Sequence, residues 1–376
     1  MNRNPTFILA CTRDWHTLDI ARELHELGRL ELLVTTLPLK RTRAKGIPDC
    51  VVRQCRATQS LIYYLHHLGK NGRALRYVST LFDLETRIHL RRSSASHFLG
   101  WAEMCQGSLN LARNRGIIPL LFEGAPHILE QERQNQYWRD RYIDATCFSE
   151  WQIKQRMHEY EIADVVVVES EYVKRSFLKI QGNAAREIIV LRPGVDPKYL
   201  RTAVEQKSEC LRALMIYPAY RKGAIDLIKA WKQAEIGNAF LSLAGRNNYG
   251  VRALVAEEPS IRLQGFYKSS ADVFPQAQLF VMPTYWDGGP RALMEAAAHG
   301  LALISSERCI GPEIIEGGKN GFIVPAGDID ALADRLRWAA ANMNQVREMG
   351  IRSREIAVER LQWARNVPEF LKAISC

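Results

Sequence analysis

The sequence of 376 residues lacks the features that define several classes of protein. Its eight cysteines include no C-x-x-C pair, and no His/Cys cluster has the spacing of a zinc site. No apolar run approaches the roughly 18–20 residues that a membrane span needs, and the apolar run at 7–11 is too short for a signal peptide. We therefore expect a cytoplasmic protein with reduced thiols and no metal ion.

A dinucleotide-binding fingerprint is absent as well. The sequence predicts a strand at 6–11, a helix at 18–27 and a strand at 30–35, which is a Rossmann-type opening, but no G-x-G-x-x-G follows the first strand. We therefore expect no bound cofactor. The loop after the first strand instead carries three polar residues at the edge where such sheets bind ligands. These residues are Arg13, Asp14 and His16.

Positive charge exceeds negative charge, with 51 Lys and Arg against 41 Asp and Glu, and the excess is unevenly distributed. Between residues 40 and 77 one acid, Asp49, stands among basic residues and tyrosines: Lys40, Arg41, Arg43, Lys45, Arg53, Arg56, Tyr63, Tyr64, Lys70, Arg73, Arg76 and Tyr77. An anionic membrane surface is one candidate partner for this segment. A solvated basic face with core tyrosines is the alternative, and nucleic acid is not expected because no recognised binding module accompanies the segment.

The segment 280–298 carries the most informative pattern. Its apolar start predicts a buried parallel strand, which Pro283 ends. A flexible turn and the start of a helix follow: Asp287, Gly288, Gly289, Pro290 and Arg291. A helix N-terminus directs free backbone N–H groups and a positive dipole end at one point. Such a point binds anions, typically diphosphate.

Two carboxylates, Asp287 in the turn and Glu295 in the helix, give this segment a second property. Helical side chains lean back toward the N-terminus, so both carboxylates can flank whatever the turn holds. Carboxylates repel phosphate and are better suited to neutral hydroxyls. A diphosphate between two polyols is a nucleotide sugar, with one carboxylate for the ribose and one for the hexose. An ordinary strand, turn and helix with solvated acids is the alternative.

This segment resembles the C-terminal domain of retaining glycosyltransferases of family four. The resemblance covers about residues 160–340, with several motifs in the order that the family has. The motifs are the segment 190–196, Lys222-Gly223, Leu243-Ala244-Gly245, Gln264-Gly265-Phe266, Asp287 with Glu295 and Ala296, Gly300, Ser305, Glu313-Ile314-Ile315 and Asn320-Gly321.

The resemblance implies an α/β fold with two facing Rossmann-like domains, the GT-B architecture, and a deep cleft between them. Residues 1–195 would form an acceptor-side domain, residues 196–356 a nucleotide-sugar-binding domain, and residues 357–376 a C-terminal helix that returns to the first domain. The implied reaction moves a hexose from a nucleotide-diphosphate sugar to a saccharide or lipid-linked acceptor. It would proceed with retention of configuration and without a metal ion.

The cation Lys222 begins a predicted helix, where its charge is unfavourable unless an anion lies beside it. The resemblance implies that Lys222 meets the diphosphate, and it implies catalytic roles for Asp287 and for His127, which follows a strand of the first domain. The expected donor contacts are Arg221, Gly288, Gly289, Pro290, Arg291 and Glu295. The loop residues Arg13, Asp14 and His16 would lie on the acceptor side.

Two departures from the family pattern keep other functions open. The first acid of the family is a glutamate, whereas this chain has the shorter Asp287. The family's Gly-Arg pair before Lys-Gly is replaced by Ile216-Tyr217-Pro218, so we expect Arg221 to supply the missing arginine. A catalytically inactive or binding-only relative, and a sugar-nucleotide epimerase of the same architecture, are the alternatives.

Overall fold

The apolar runs of the sequence form two separate parallel sheets. The structure is a computed structural model, and it describes residues 4–375 except residue 15 and the segments 68–73, 140–147, 182–186, 202–209, 246–248, 257, 268 and 270–271. The first sheet contains β1 (Phe7–Cys11), β2 (Leu30–Thr35), β3 (Val52–Gln54), β4 (His97–Trp101), β5 (Ile118–Glu123), β6 (Val165–Val168) and β7 (Glu187–Val190). Their spatial order is β3-β2-β1-β4-β5-β6-β7.

Helices connect these strands and allow their parallel pairing, because a parallel neighbour needs a crossover connection. They are α1 (Thr17–Glu26), α2 (Leu39–Ala44), α3 (Arg56–His67), α4 (Leu75–Leu90), α5 (Gln106–Asn114), α6 (Ile128–Arg139), α7 (Glu150–Ile162) and α8 (Glu171–Gln181). The four valines of β6 are all buried, as expected for a strand covered on both faces.

The second sheet follows the same rule. It contains β8 (Leu211–Ile216), β9 (Ala239–Ala244), β10 (Ile261–Gln264), β11 (Leu279–Met282), β12 (Ala302–Ser306) and β13 (Gly321–Val324), in the order β10-β9-β8-β11-β12-β13. The remaining helices are α9 (Pro197–Arg201), α10 (Ala224–Ala234), α11 (Tyr249–Val255), α12 (Arg291–Ala298), α13 (Gly311–Ile314), α14 (Ile329–Ala341), α15 (Met343–Arg360) and α16 (Trp363–Ala373). The predicted α/β class with two Rossmann-like domains is confirmed.

Each sheet has one point where the strand order reverses. In the first sheet this point lies between β1 and β4, and in the second sheet between β8 and β11. Ligands of open parallel sheets bind beyond the carboxyl ends of the strands at such a point. The loops that follow β1 and β4 in the first sheet, and β8 and β11 in the second, are therefore positioned for function.

The last helix, α16, packs on the first domain. Trp363, Val367 and Phe370 are buried in the same hydrophobic core as the strands of the first sheet. The chain crosses back just before this helix, where the Val195 N–H donates to the carbonyl of Leu361 at 2.9 Å. Within the residues that the structure describes, no helix is both long enough and apolar enough to cross a bilayer.

Candidate functional site

Two loops meet at the point where the second sheet reverses its strand order. The first follows β8 and the second follows β11, and these strands are parallel neighbours. The carbonyl of Arg221 joins the loops, because it accepts hydrogen bonds from the Tyr285 N–H at 2.8 Å and the Thr284 hydroxyl at 3.0 Å. Gly223 permits this approach: its φ is +78°, and a Cβ there would lie 2.3 Å from the Pro283 carbonyl oxygen. A residue with a side chain would push the loops apart.

A cluster of opposite charges occupies this junction. The Asp287 carboxylate contacts Arg221 Nη1 at 2.8 Å and forms a hydrogen-bonded ion pair with Lys222 Nζ. The Arg221 guanidinium also lies over the Trp286 ring, 4.4 Å from its centre, and donates to the Trp286 carbonyl at 2.9 Å. Lys222 differs from its prediction in one respect: it ends a short 3-10 turn, two residues before α10 begins. The junction therefore brings together three of the predicted site residues.

The pKa values of this cluster follow from burial and charge. Burial disfavours the ionised form of Asp287, but Lys222 and Arg221 outweigh this effect and hold its pKa at about 2. Burial lowers the pKa of Lys222, and Asp287 opposes that change. Two cations share one carboxylate, so the junction has an excess of positive charge that a phosphate group could neutralise.

The turn after Asp287 contacts the first domain through a residue that the sequence analysis missed. The Gly289 N–H donates to Glu169 Oε2 at 2.7 Å, and Glu169 follows directly after β6. A Cβ on Gly288 would lie 2.1 Å from the Gly124 carbonyl oxygen, so glycine is required where the two domains approach each other. The Gly289 amide, which was expected to face a phosphate, is thus bonded to a carboxyl group.

Glu169 is a buried acid next to other acids. Burial raises its pKa to about 8, and the nearby carboxylate of Asp287 adds to this increase. Its other oxygen, Oε1, lies 3.6 Å from His16 Nε2. A carboxyl group directly after a buried strand lies at the ligand-binding edge of the sheet, and this position was the sequence signal that could have identified Glu169.

The predicted acceptor loop lies beside the same turn. His16 has a left-handed backbone with φ +61°, its ring is buried, and its Nδ1 has no hydrogen-bond partner in the part of the chain that the structure describes. Burial, and then the charge of Arg291, lower the pKa of His16 to about 3. Arg291 donates to the Asp14 carbonyl at 3.4 Å, whereas Arg13 is exposed. His16, Asp14 and Arg291 are therefore neighbours.

His127 is placed differently. Its ring is fully buried in the first domain, with Tyr160 and Phe177 each 4.9 Å away between ring centres. Its Nδ1 accepts from the Leu129 N–H at 3.3 Å, and its Nε2 has no hydrogen-bond partner among the described residues. Burial lowers the pKa of His127 to about 4. The neutral ring is thus enclosed by aromatic neighbours, and its catalytic role stays a prediction.

Glu295 is half-buried on α12, and Pro290 occupies the position just before this helix. Burial, the Tyr217 side chain and then the charge of Glu295 raise the pKa of the Tyr267 phenol. The rings of Tyr217 and Tyr267 lie 5.9 Å apart. Glu295 therefore influences one ring of an aromatic pair that lies beyond the ends of β8 and β10.

The cluster shows no arrangement typical of a metal centre. Among the residues that the structure describes, no group of three or more His, Cys, Asp or Glu side chains is placed to hold an ion.

The raised pKa of Glu169 predicts a pH-dependent effect on stability. The unfolded chain loses this proton near pH 4.5, whereas the folded chain keeps it until about pH 8. The stability of the wild type therefore falls as pH rises through this window. The Glu169→Gln side chain cannot ionise and can still accept from the Gly289 N–H. Relative to the wild type, the free energy of unfolding of this variant should therefore increase by at least about 1 kcal/mol between pH 5 and pH 8.

Thermal unfolding midpoints at several pH values measure this difference. Glu171→Gln, which changes an exposed acid two residues away, is the matched control and should follow the wild type. A gap between Glu169→Gln and wild type that stays constant from pH 5 to pH 8 would show that Glu169 is ionised throughout.

Comparisons with known proteins agree with this geometry. Residues 212–342 match the family model described as Glycosyl transferases group 1. A putative colanic acid biosynthesis glycosyltransferase of Salmonella typhimurium is 32% identical over 177 residues, which are 42% of this chain and 43% of that protein. An amylovoran biosynthesis glycosyltransferase of Erwinia amylovora is 32% identical over 171 residues, 40% of this chain and 42% of that protein. The chain thus matches less than half the length of these curated relatives.

Solved structures resemble the whole chain. Sucrose-phosphate synthase from Thermosynechococcus elongatus has a TM-score of 0.74 at 16% identity, covering 99% of this chain and 98% of that one. HepE of Anabaena, solved in complex with UDP and glucose, has a TM-score of 0.66 at 14% identity and covers 99% of both chains. The chain therefore has the GT-B fold of these proteins, and its residues 212–342 match the group 1 glycosyltransferases.

Proposed function

We propose that the protein is a glycosyltransferase that moves a hexose from a nucleotide-diphosphate sugar to a saccharide or lipid-linked acceptor. The observation that carries this proposal is the junction where Arg221 and Lys222 converge on Asp287, at the ligand-binding edge of the second sheet. The match of residues 212–342 to group 1 glycosyltransferases supports it. So do the names of the relatives, which concern colanic acid and amylovoran biosynthesis.

The charges of the junction fit the chemistry of the leaving group. A diphosphate between Arg221 and Lys222 would replace Asp287 as their partner, and these cations would neutralise it without a metal ion. Negative charge on the leaving oxygen grows as the bond from phosphate to the anomeric carbon breaks, so both cations act most strongly in the transition state. Asp287, released from the cations, would accept hydrogen bonds from the hexose, and Glu295 from the ribose.

In this proposal the configuration at the anomeric carbon is retained, because the acceptor attacks the same face of the sugar from which the leaving group departs. The acceptor hydroxyl oxygen forms its bond to the anomeric carbon as the phosphate bond breaks, and its proton passes to the leaving phosphate oxygen. His16 and Asp14, next to Arg291, would line the acceptor side of this site. A binding-only relative and an epimerase are the competing proposals, and they predict no glycosidic product.

A surface on α3 and α4 suggests where the reaction takes place. Tyr63, Tyr64 and Tyr77 are 68%, 61% and 68% exposed, so these tyrosines do not belong to the core. Phe82 of α4, by contrast, is fully buried. Arg56 and Arg76 are exposed on the same two helices, and Lys70 and Arg73 lie outside the described residues. We propose that this surface contacts anionic lipid from the cytoplasm, where a lipid-linked acceptor would be available.

The donor assignment predicts different effects of two variants on two ligands. Glu295→Gln should weaken the binding of the matching nucleotide, UDP or GDP, by roughly 1–3 kcal/mol, because the ribose loses a charged hydrogen bond. It should leave the binding of inorganic diphosphate, which has no ribose, nearly unchanged. Lys222→Ala should weaken both ligands, and Lys229→Ala, an exposed lysine on α10, should weaken neither. Calorimetric titration measures all of these affinities.

If Glu295→Gln weakened the binding of nucleotide and of diphosphate equally, Glu295 would not be the residue that binds the ribose. Unchanged affinities in Lys222→Ala would show that another cation holds the diphosphate.

The membrane assignment predicts binding to anionic liposomes. Each basic residue near such a surface contributes about 1 kcal/mol to the binding free energy through electrostatic attraction. Binding should therefore require anionic lipid and decrease with added salt. The combined change of Tyr63 and Tyr77 to Ser and of Arg56 and Arg76 to Gln should abolish it. The control changes Ile351 and Val358, two exposed apolar residues of α15, to Ser. Wild-type protein that fails to float with anionic liposomes at low salt would refute the membrane contact and leave the transferase proposal standing.

A further inference from the structure

Helix α4 presents an apolar face away from the core of the first domain. Its inner face packs on that core, and the buried residues there are Ser79, Phe82, Thr86 and Leu90. Its outer face carries Tyr77, Leu84 and Ile88, which are 68%, 45% and 52% exposed. Their spacing along the helix places these three residues in one row, which we call the α4 stripe. A contiguous apolar stripe that faces away from the core marks a contact surface.

An open cavity lies beside this helix, at the edge of the first sheet that β3 forms. Its volume is about 270 Å³, the space of several water molecules and enough for a phosphate group. His89, one of its lining residues, directly follows Ile88 of the α4 stripe, so the cavity and the stripe are adjacent parts of one surface. The lining residues include Leu39, Asp49, Arg53, Gln54, Arg56 and His89.

The acids in and near the cavity already have partners. Asp49 accepts a hydrogen bond from Arg43 Nε at 2.9 Å and forms an ion pair with that guanidinium. Glu85 of α4 accepts from the backbone N–H groups of Ala57 and Thr58 at 3.2 and 2.9 Å, at the start of α3. Both carboxylates are therefore engaged outside the cavity's own cations.

The two arginines of the cavity are exposed, and no acid neutralises them. Within the part of the chain that the structure describes, neither Arg53 nor Arg56 forms an ion pair with a carboxylate. Arg53 Nη1 instead donates to the carbonyls of Cys50 and Val52 at 2.8 and 3.0 Å, which holds the guanidinium at the cavity wall. Burial, and then the charge of Arg53, lower the pKa of His89, so its neutral ring can still donate one N–H. Such a set of donors suits phosphate, which pairs with arginine through two parallel hydrogen bonds.

We propose that this cavity binds the phosphate headgroup of an anionic lipid while the α4 stripe lies in the headgroup layer. This inference rests on the membrane contact proposed above and adds the chemical class of the lipid. A phosphomonoester carries about −1.5 to −2 charges at pH 7, whereas a phosphodiester carries a single charge. Because Arg53 and Arg56 line the same cavity, the phosphomonoester is the favoured ligand.

Vesicle binding at matched surface charge tests this inference. One set of phosphatidylcholine vesicles contains phosphatidate, a phosphomonoester, and the other contains phosphatidylglycerol, a phosphodiester, in fractions adjusted to equal zeta potential. Wild-type protein should bind the phosphatidate vesicles at least about ten-fold more tightly, the scale of one charge-assisted hydrogen bond. Glycerol 3-phosphate, the soluble headgroup of phosphatidate, should bind far more weakly than these vesicles, because it makes no contact with the α4 stripe.

Three double variants separate the cavity from the general charge and apolar character of the surface. Arg53→Gln with Arg56→Gln should reduce the preference for phosphatidate to roughly two-fold or less, because glutamine carries no charge. The control, Lys40→Gln with Arg91→Gln, removes two exposed charges outside the cavity and should keep the preference. Leu84→Ser with Ile88→Ser should weaken binding to both kinds of vesicle and also keep the preference.

Each other outcome contradicts a stated part of this inference. Equal binding of the two kinds of vesicle by wild type would overturn it, and so would a preference that persists without Arg53 and Arg56. Glycerol 3-phosphate that binds as tightly as phosphatidate vesicles would assign the cavity to a soluble phosphate instead of a lipid. Wild-type protein that binds neither kind of vesicle would refute the membrane contact and this inference together. Binding of UDP or GDP, measured on the same proteins, tests the transferase proposal separately and shows that each variant is folded.

Discussion

The account depends on one interaction, the Asp287 carboxylate shared by Arg221 and Lys222. Burying the charged end of a lysine is costly unless an anion accompanies it, and Asp287 provides that anion for Lys222, with the partly exposed Arg221 as its second partner. The backbone is shaped around this interaction, because Gly223 lets the two loops meet and the Arg221 carbonyl ties them together. We propose that diphosphate replaces this carboxylate, because two adjacent cations suit a doubly charged ligand.

The same turn connects the two domains. Gly289 donates to Glu169, and the Gly288 position tolerates no side chain against Gly124. A second contact reinforces the first, since Glu313 of α13 accepts from the Glu171 N–H at 2.9 Å and pairs with Arg192 at 3.1 Å. The proposed donor and acceptor surfaces are therefore held together by direct hydrogen bonds, and a change at the turn should affect both.

The sequence was sufficient to predict what depends on local pattern. The apolar run before Pro283 predicted a parallel strand correctly, the first strand, helix and strand predicted a Rossmann-type opening, and the family resemblance implied the two Rossmann-like domains that the structure has. Contacts between distant residues were harder: Glu169 bonds to Gly289 across 120 positions, and no local pattern indicates such a pair. The exposure of side chains was equally difficult to predict, because an amphipathic helix places tyrosines in the core or at the surface according to its orientation. Tyr63 is exposed in the structure.

A crystal structure of the protein with its matching nucleoside diphosphate, UDP or GDP, tests the central claim most directly. The account predicts that the terminal phosphate lies against Lys222 and Arg221 and that the Asp287 carboxylate no longer bridges these cations. It also predicts that the ribose hydroxyls lie within hydrogen-bond distance of Glu295. A nucleotide bound elsewhere, with Asp287 still paired to both cations, would contradict the proposed donor site.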